Sequence, residues 1–264
     1  MGNDWALILG ASSGFGEATS LELARSGYNI VGVHLDLRAT LPNAERIQDE
    51  IRSAGQEAMF FNVNAADASK RATVVDAIQE RFSQGGGEAY VRVLLHSLAF
   101  GTLQPYFGET PKSTLSQKQM EMTLDVMAHS LVYWTQDLAS RNLLRKGSRI
   151  FAMTSAGSTR VIESYGAVSA AKAALESHIR QIAFEMAPLG VRANAIRAGV
   201  TDTPALRRIP EGPNLHARAQ ERNPSGRTTT TADVARAIAV LADERLGWMT
   251  GNVIGIDGGE ELTA

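Results

Sequence analysis

Tyr165 and Lys172 stand seven residues apart in the run Tyr165-Gly166-Ala167-Val168-Ser169-Ala170-Ala171-Lys172. On an α-helix that separation is two turns with about 20° of drift, so both side chains project from one face. An ammonium beside a phenol favours the phenolate and lowers its pKa towards values useful in acid–base work. The same ammonium can hold sugar hydroxyls, and the small residues between the two allow a ligand to approach closely. Alone, such a pair is more often coincidence than catalysis. A second motif reverses that balance.

Gly10-Ala11-Ser12-Ser13-Gly14-Phe15-Gly16 has the spacing G-x3-G-x-G and falls between a strand-like run and a helical one. Glycines let a backbone turn tightly and approach a ligand. The helix that follows offers free N–H groups and a positive dipole end, which suits a pyrophosphate. In this position after a first strand the pattern predicts dinucleotide binding, with Gly10, Ser12, Ser13, Gly14, Phe15 and Gly16 as the contacts. The tip of the second strand should meet the adenosine ribose. His34 stands there, with Asp36 and Arg38 just beyond. A carboxylate selects NAD(H) through the 2′-hydroxyl, whereas Arg38 can pair with a 2′-phosphate that His34 would not repel. This favours NADP(H), with NAD(H) as the alternative; Asp36 and Arg38 read equally well as solvated loop charges. Asn62-Val63, after the third strand, are candidates to contact adenine.

The elements that must position these groups alternate. Strand-like runs are Trp5–Leu9, Tyr28–Leu35, Ala58–Val63, Val91–His96, Arg149–Thr154, Val191–Ile196 and Val253–Ile256. Helical periodicity covers Phe15–Arg25, a stretch from Pro42 to near Gly55, Ala68–Phe82, Ser116–Leu144, Tyr165–Met186 and Ala232–Ala242, with a glycine loop at 84–87. Strands alternating with helices predict one doubly wound α/β domain over residues 1–264, a seven-stranded parallel sheet with helices on both faces. The stretch 204–222, with Pro204, Pro210 and Pro213 followed by room for a short helix, is expected to be a mobile segment over a site, a static surface loop being the alternative.

Composition is that of an ordinary globular protein, with 44% hydrophobic and 20% charged residues. The net charge of −2 gives no basic footprint for nucleic acid. Without cysteine there is no disulfide framework or thiolate metal site. No apolar run is long enough to span a bilayer, and the N-terminus lacks a signal-peptide pattern, so a cytoplasmic protein is expected. His34, His96, His129, His178 and His216 are scattered without ligand spacing, so no metal is expected.

The glycine loop, Ser155 and the tyrosine–lysine helix together resemble the short-chain dehydrogenase/reductase superfamily over essentially the whole chain. Asn194–Thr203 is similar to its turn beside the nicotinamide, and Gly255-Ile256-Asp257-Gly258-Gly259 to its last strand and turn. Ordinary members place the tyrosine four residues before the lysine, where this chain has Val168. The Tyr-x6-Lys spacing, His96-Ser97-Leu98-Ala99-Phe100 and Ala198-Gly199 resemble instead the divergent branch of bacterial enoyl-acyl-carrier-protein reductases. Gly157-Ser158-x-Arg160, Glu163-x-Tyr165 and Thr201–Leu206 are similar to its NADPH-dependent members from bacilli, which also carry a serine ten residues before the tyrosine. The ordinary family's catalytic asparagine on the long central helix is here Met127, which disfavours a proton relay through that position.

The resemblance implies reduction of the 2,3 double bond of an enoyl thioester in fatty acid synthesis. Tyr165 would stabilise the developing enolate, Lys172 would bind the nicotinamide ribose, and Ser155 would be a secondary donor. Ser97, Gly199, Thr201 and Thr203 would line the nicotinamide end, Thr203 at the carboxamide. The 204–222 segment would close over the acyl chain. The thioester carrier is acyl carrier protein or coenzyme A. The family also implies a homotetramer through the helices 116–144 and 165–186. Ala170, Ala173, Ala174 and Ser177 would allow close helix contact, unless they face the subunit core. The alternatives are a carbonyl or alcohol oxidoreductase of the same superfamily and a non-catalytic NADPH sensor.

Overall fold

The computed structural model describes residues 4–84 and 88–262. Strands β1 (Asp4–Leu9), β2 (Asn29–His34), β3 (Ala58–Asn62), β4 (Tyr90–His96), β5 (Arg149–Thr154), β6 (Arg192–Ala198) and β7 (Val253–Ile256) form one parallel sheet in the order β3-β2-β1-β4-β5-β6-β7. Helices α1 (Gly14–Arg25), α2 (Leu41–Ser53), α3 (Ala68–Gln84), α4 (Gln117–Leu124), α5 (Ser130–Ser140), α6 (Gly166–Glu185), α7 (Gly212–Arg222) and α8 (Thr231–Leu241) connect them. This is the seven-stranded, doubly wound architecture that the alternation predicts. From Gly85 on, the expected glycine loop lies outside the described residues.

The strands read as continuous apolar runs because both faces of the sheet are covered. Successive residues nevertheless divide between two cores. Leu7 and Leu9 of β1 pack with Val74, Ile78, Trp134, Leu175 and Ile179 from α3, α5 and α6. Ala6 and Ile8 pack with Leu23, Ile47, Ile51, Val234 and Ile238 from α1, α2 and α8. The strand order reverses direction between β1 and β4, where Leu9 lies opposite His96. In open α/β sheets that crevice, at the carboxyl ends of the strands, is where a dinucleotide binds.

Two expectations change. The helix read as 116–144 is α4 and α5 joined through a π-turn, Asp125–His129, and it ends at Ser140. Asn142 adopts φ 55, and Leu143 turns back so that its carbonyl accepts from Val91 N at 2.8 Å. Leu143 and Leu144 continue the apolar pattern only because they are buried in the turn. Tyr165 is the N-cap of α6 and not its first turn. In the 204–222 stretch a 3-10 turn at Leu206–Arg208 is followed by α7, the short helix the sequence allows there, with Pro213 in the first turn where its missing N–H costs nothing. No helix among the described residues is long and apolar enough to cross a membrane.

Candidate active site

The glycine loop leaves β1 and turns into α1. Gly10 and Gly14 have φ +93 and +56, the left-handed region that glycine occupies without strain. A Cβ on Gly16 would lie 2.0 Å from the Gly10 carbonyl oxygen, so no larger residue fits. A Cβ on Gly10 would meet the Ser97 carbonyl oxygen at 2.6 Å, which puts the end of β4 directly against the loop. Ser13 caps α1 in extended conformation, but its side chain accepts no capping bond. The first-turn N–H groups are thus left for an outside acceptor. A close-packed loop with glycine at 10, 14 and 16, beneath a helix start that lacks a side-chain cap, fits the pyrophosphate of a dinucleotide. Phe15 turns its ring towards the second core, leaving its backbone as the group for a ligand. The Thr203 methyl lies within van der Waals reach of the Gly14 Cβ position, so the 199–203 turn closes the other side of the loop. Gly199 is confined by Thr229 and Glu260, and Thr201 and Thr203 are buried.

At the ribose corner the arrangement differs from the one expected. His34 is buried and its Nδ1 lies 2.8 Å from Asp36 Oδ2, so the imidazole faces the carboxylate and not a ribose. Burial works to raise the Asp36 pKa, but hydrogen bonds with Ser12, Thr40 and His34 outweigh it and hold the carboxyl below its ordinary value. Asn62 clasps the same residue from β3. Its Oδ1 accepts from Asp36 N at 2.9 Å and its Nδ2 donates to Asp36 O at 3.0 Å. Val63 N donates to His34 O at 2.8 Å. Asp36 is therefore a fixed anion, not a solvated loop charge; Arg38 is exposed.

Tyr165 and Lys172 both reach the carboxyl end of β5. The Tyr165 hydroxyl is 3.5 Å from Ser155 Oγ, and Lys172 Nζ donates to the Met153 carbonyl at 2.7 Å. Ser164, at φ 57, turns the chain into the helix, and the Tyr165 ring packs so closely on Gly157 that a Cβ there would lie 2.6 Å from it. Tyr165 is 9% exposed and Lys172 6%. Burial pushes the phenol pKa up, with the Ser155 hydrogen bond pulling the other way. The lowered phenol pKa expected from the nearby ammonium is not what the structure holds: desolvation of the phenolate wins. Burial also pushes Lys172 down to about 8, against the pull of Glu176. Met127, at the expected asparagine position, is buried in the π-turn, beside the Cβ position of Gly101.

Sequence reasoning missed several neighbours. His96 Nε2 pairs with Ser130 Oγ at 2.8 Å, and Ser130 Oγ bonds the Val126 carbonyl. Burial, with Lys172 adding to it, pushes His96 down to about 3, so the imidazole is neutral. Tyr106 covers Gly166, where a Cβ would meet its ring at 2.6 Å. Glu176 follows Lys172 by one helical turn, a spacing visible in the sequence. His129 and His178, scattered in sequence, meet at 3.0 Å. Two imidazoles fall short of a metal site, and no cluster of three or more ligating groups occurs among the described residues. A cavity of about 430 Å³ lies behind the glycine loop between α1 and α8, away from Tyr165.

A family model described as Enoyl-(Acyl carrier protein) reductase matches residues 10–261. An NADPH-dependent aldehyde reductase-like protein of Arabidopsis thaliana is 26% identical over 96% of this chain and 93% of its own. The 1-cyclohexenylcarbonyl-CoA reductase of Streptomyces collinus is 27% identical over 98% of this chain and 87% of its own. The crystal structure of FabI from Candidatus Liberibacter asiaticus has a TM-score of 0.85 at 23% identity, covering 99% of this chain and 96% of that one, a likeness of fold.

Proposed function

The chain belongs to the enoyl-(acyl carrier protein) reductase family of short-chain dehydrogenases/reductases, and from that membership we propose that it reduces the 2,3 double bond of an enoyl thioester. The observation that carries the reading is Tyr165. Its phenol is held in the protonated form by burial. A neutral hydroxyl is a hydrogen-bond donor, and a thioester oxygen that gains charge as an enolate needs a donor. The bond strengthens as the charge appears, which is the condition for lowering the barrier. The glycine loop and the 199–203 turn would hold a reduced nicotinamide cofactor in the β1/β4 crevice, which would supply hydride chemistry at Cβ, the enolate then taking its Cα proton from solvent. Lys172 holds the ribose hydroxyls, Ser155 is the second donor beside Tyr165, and Thr203 meets the carboxamide. Met127 supplies no polar group for a relay, and enolate stabilisation needs none there.

The half-buried Leu206, Ile209 and Leu215 suit a segment that covers an acyl chain and excludes water. The carrier is acyl carrier protein or coenzyme A. Assembly as a homotetramer through the outer faces of α5 and α6 belongs to the same proposal, and Ala173 and Ser177 are exposed on that side. A preference for NADP(H) rests on Arg38 alone, since Asp36 holds a fixed negative charge at the same corner. The second reading, carbonyl reduction, is favoured by the Ser155–Tyr165 hydroxyl pair.

Replacing Tyr165 by Phe and assaying crotonyl thioester with NADPH and NADH, beside a panel of ketones, tests the proposal. Turnover of the enoyl thioester should fall by about 10²–10³ while cofactor affinity persists; Lys172→Ala should weaken that affinity. Full turnover by the Tyr165→Phe protein would remove the phenol from the reaction, and activity confined to ketones would give the second reading.

A further inference from the structure

Lys172 is a buried ammonium with one hydrogen bond to protein, to the Met153 carbonyl. The next residue on β5, Thr154, donates from Oγ1 to Glu176 Oε1 at 2.6 Å. Met153 and Thr154 are adjacent on the strand, and Lys172 and Glu176 are one turn apart on the helix packed against it. Strand and helix thus place a cation and a carboxylate one helical turn apart, each tied to a neighbouring residue of β5. A charge taken out of water is costly unless an opposite charge compensates it. The other titratable groups around Lys172 do not do so. Tyr165 at the start of α6 keeps its proton, His96 on β4 is neutral, and Arg197, the register partner of Thr154 on β6, is a cation.

We propose that Glu176, held in place by Thr154, is a positioning residue that keeps Lys172 an ammonium directed at the cofactor ribose. This rests on the reading of Lys172 as the ribose-binding lysine. Burial pushes Lys172 towards about 8, and Glu176 is the group acting in the opposite sense. Removing its charge should therefore lower the pH at which the ammonium is lost.

The Lys172 Nζ signal, assigned through Lys172→Arg, can be titrated by 15N NMR in the full chain. Glu176→Gln should move the midpoint down by roughly half a unit to one unit. Glu176→Asp should return it towards the starting value, and Thr154→Val should shift it part of the way. NADPH and NADH affinity, followed by cofactor fluorescence against pH, should lose its alkaline side at correspondingly lower pH. A midpoint unmoved in folded Glu176→Gln protein overturns the proposal, as does an affinity loss equal at every pH. Should Glu176→Gln fail to fold, Glu176→Asp and Thr154→Val decide by the same midpoint. Absence of turnover on every thioester and ketone would sink the reductase reading, while the Lys172 titration still decides the role of Glu176.

Discussion

Asp36 collects hydrogen bonds from His34, Ser12 and Thr40, while Asn62 fixes its backbone. Arg38, exposed on the loop just beyond, is a cation at the same corner. A 2′-phosphate placed here feels repulsion from a fixed anion and attraction from the exposed Arg38 cation, and the coenzyme ratio is the balance of the two. Asp36→Asn removes the repulsion and should raise the NADPH/NADH ratio of kcat/KM; Arg38→Ala should lower it. Each change is expected to be about tenfold, the effect of ~1.4 kcal/mol, and initial rates with the two coenzymes side by side measure it. Asp36 and Arg38 were visible as candidates in the sequence. That His34 would turn away from the ribose was not, because its partner is set by the way the loop folds back.

Among the elements, the β1–α1 turn was the most legible, since its glycines are there for local reasons. Gly16 has no room for a side chain against the Gly10 carbonyl. Gly16→Ala must push the helix start away from the loop, and dinucleotide affinity should fall more than about tenfold, ~1.4 kcal/mol, with little loss of fold. Titration of cofactor fluorescence measures it, and unchanged affinity would place the pyrophosphate elsewhere. The long helix before β5 was the least legible. Its apolar periodicity runs through the π-turn and beyond the true end, because Leu143 and Leu144 bury themselves as turn residues. Periodicity reports which residues are inside, not whether the backbone around them is still helical. The π-turn itself brings Val126 O to Ser130 and Ser130 to His96, a contact with no signature in local sequence.

For the molecule as a whole, stability rests on two cores on opposite faces of one sheet. Trp134 is fully buried in the larger of them and donates from Nε1 to the Ala65 carbonyl at 2.9 Å. Trp134→Ala should cost about 3–5 kcal/mol, read as a lower urea midpoint at unchanged slope. Trp134→Phe should cost less, leaving chiefly an unpaired carbonyl at about 1–3 kcal/mol. The sequence by itself determined the alternation of elements, the parallel sheet, the glycine cradle and the candidacy of Tyr165, Lys172 and Ser155, because these depend on residue type and on spacing along one element. Only the tertiary structure decided the electrostatics. Burial keeps the Tyr165 proton on, lowers Lys172 and neutralises His96, and Thr154 brings Glu176 into the picture. Desolvation depends on everything packed around a group, and that surrounding comes from strands and helices far apart in the chain.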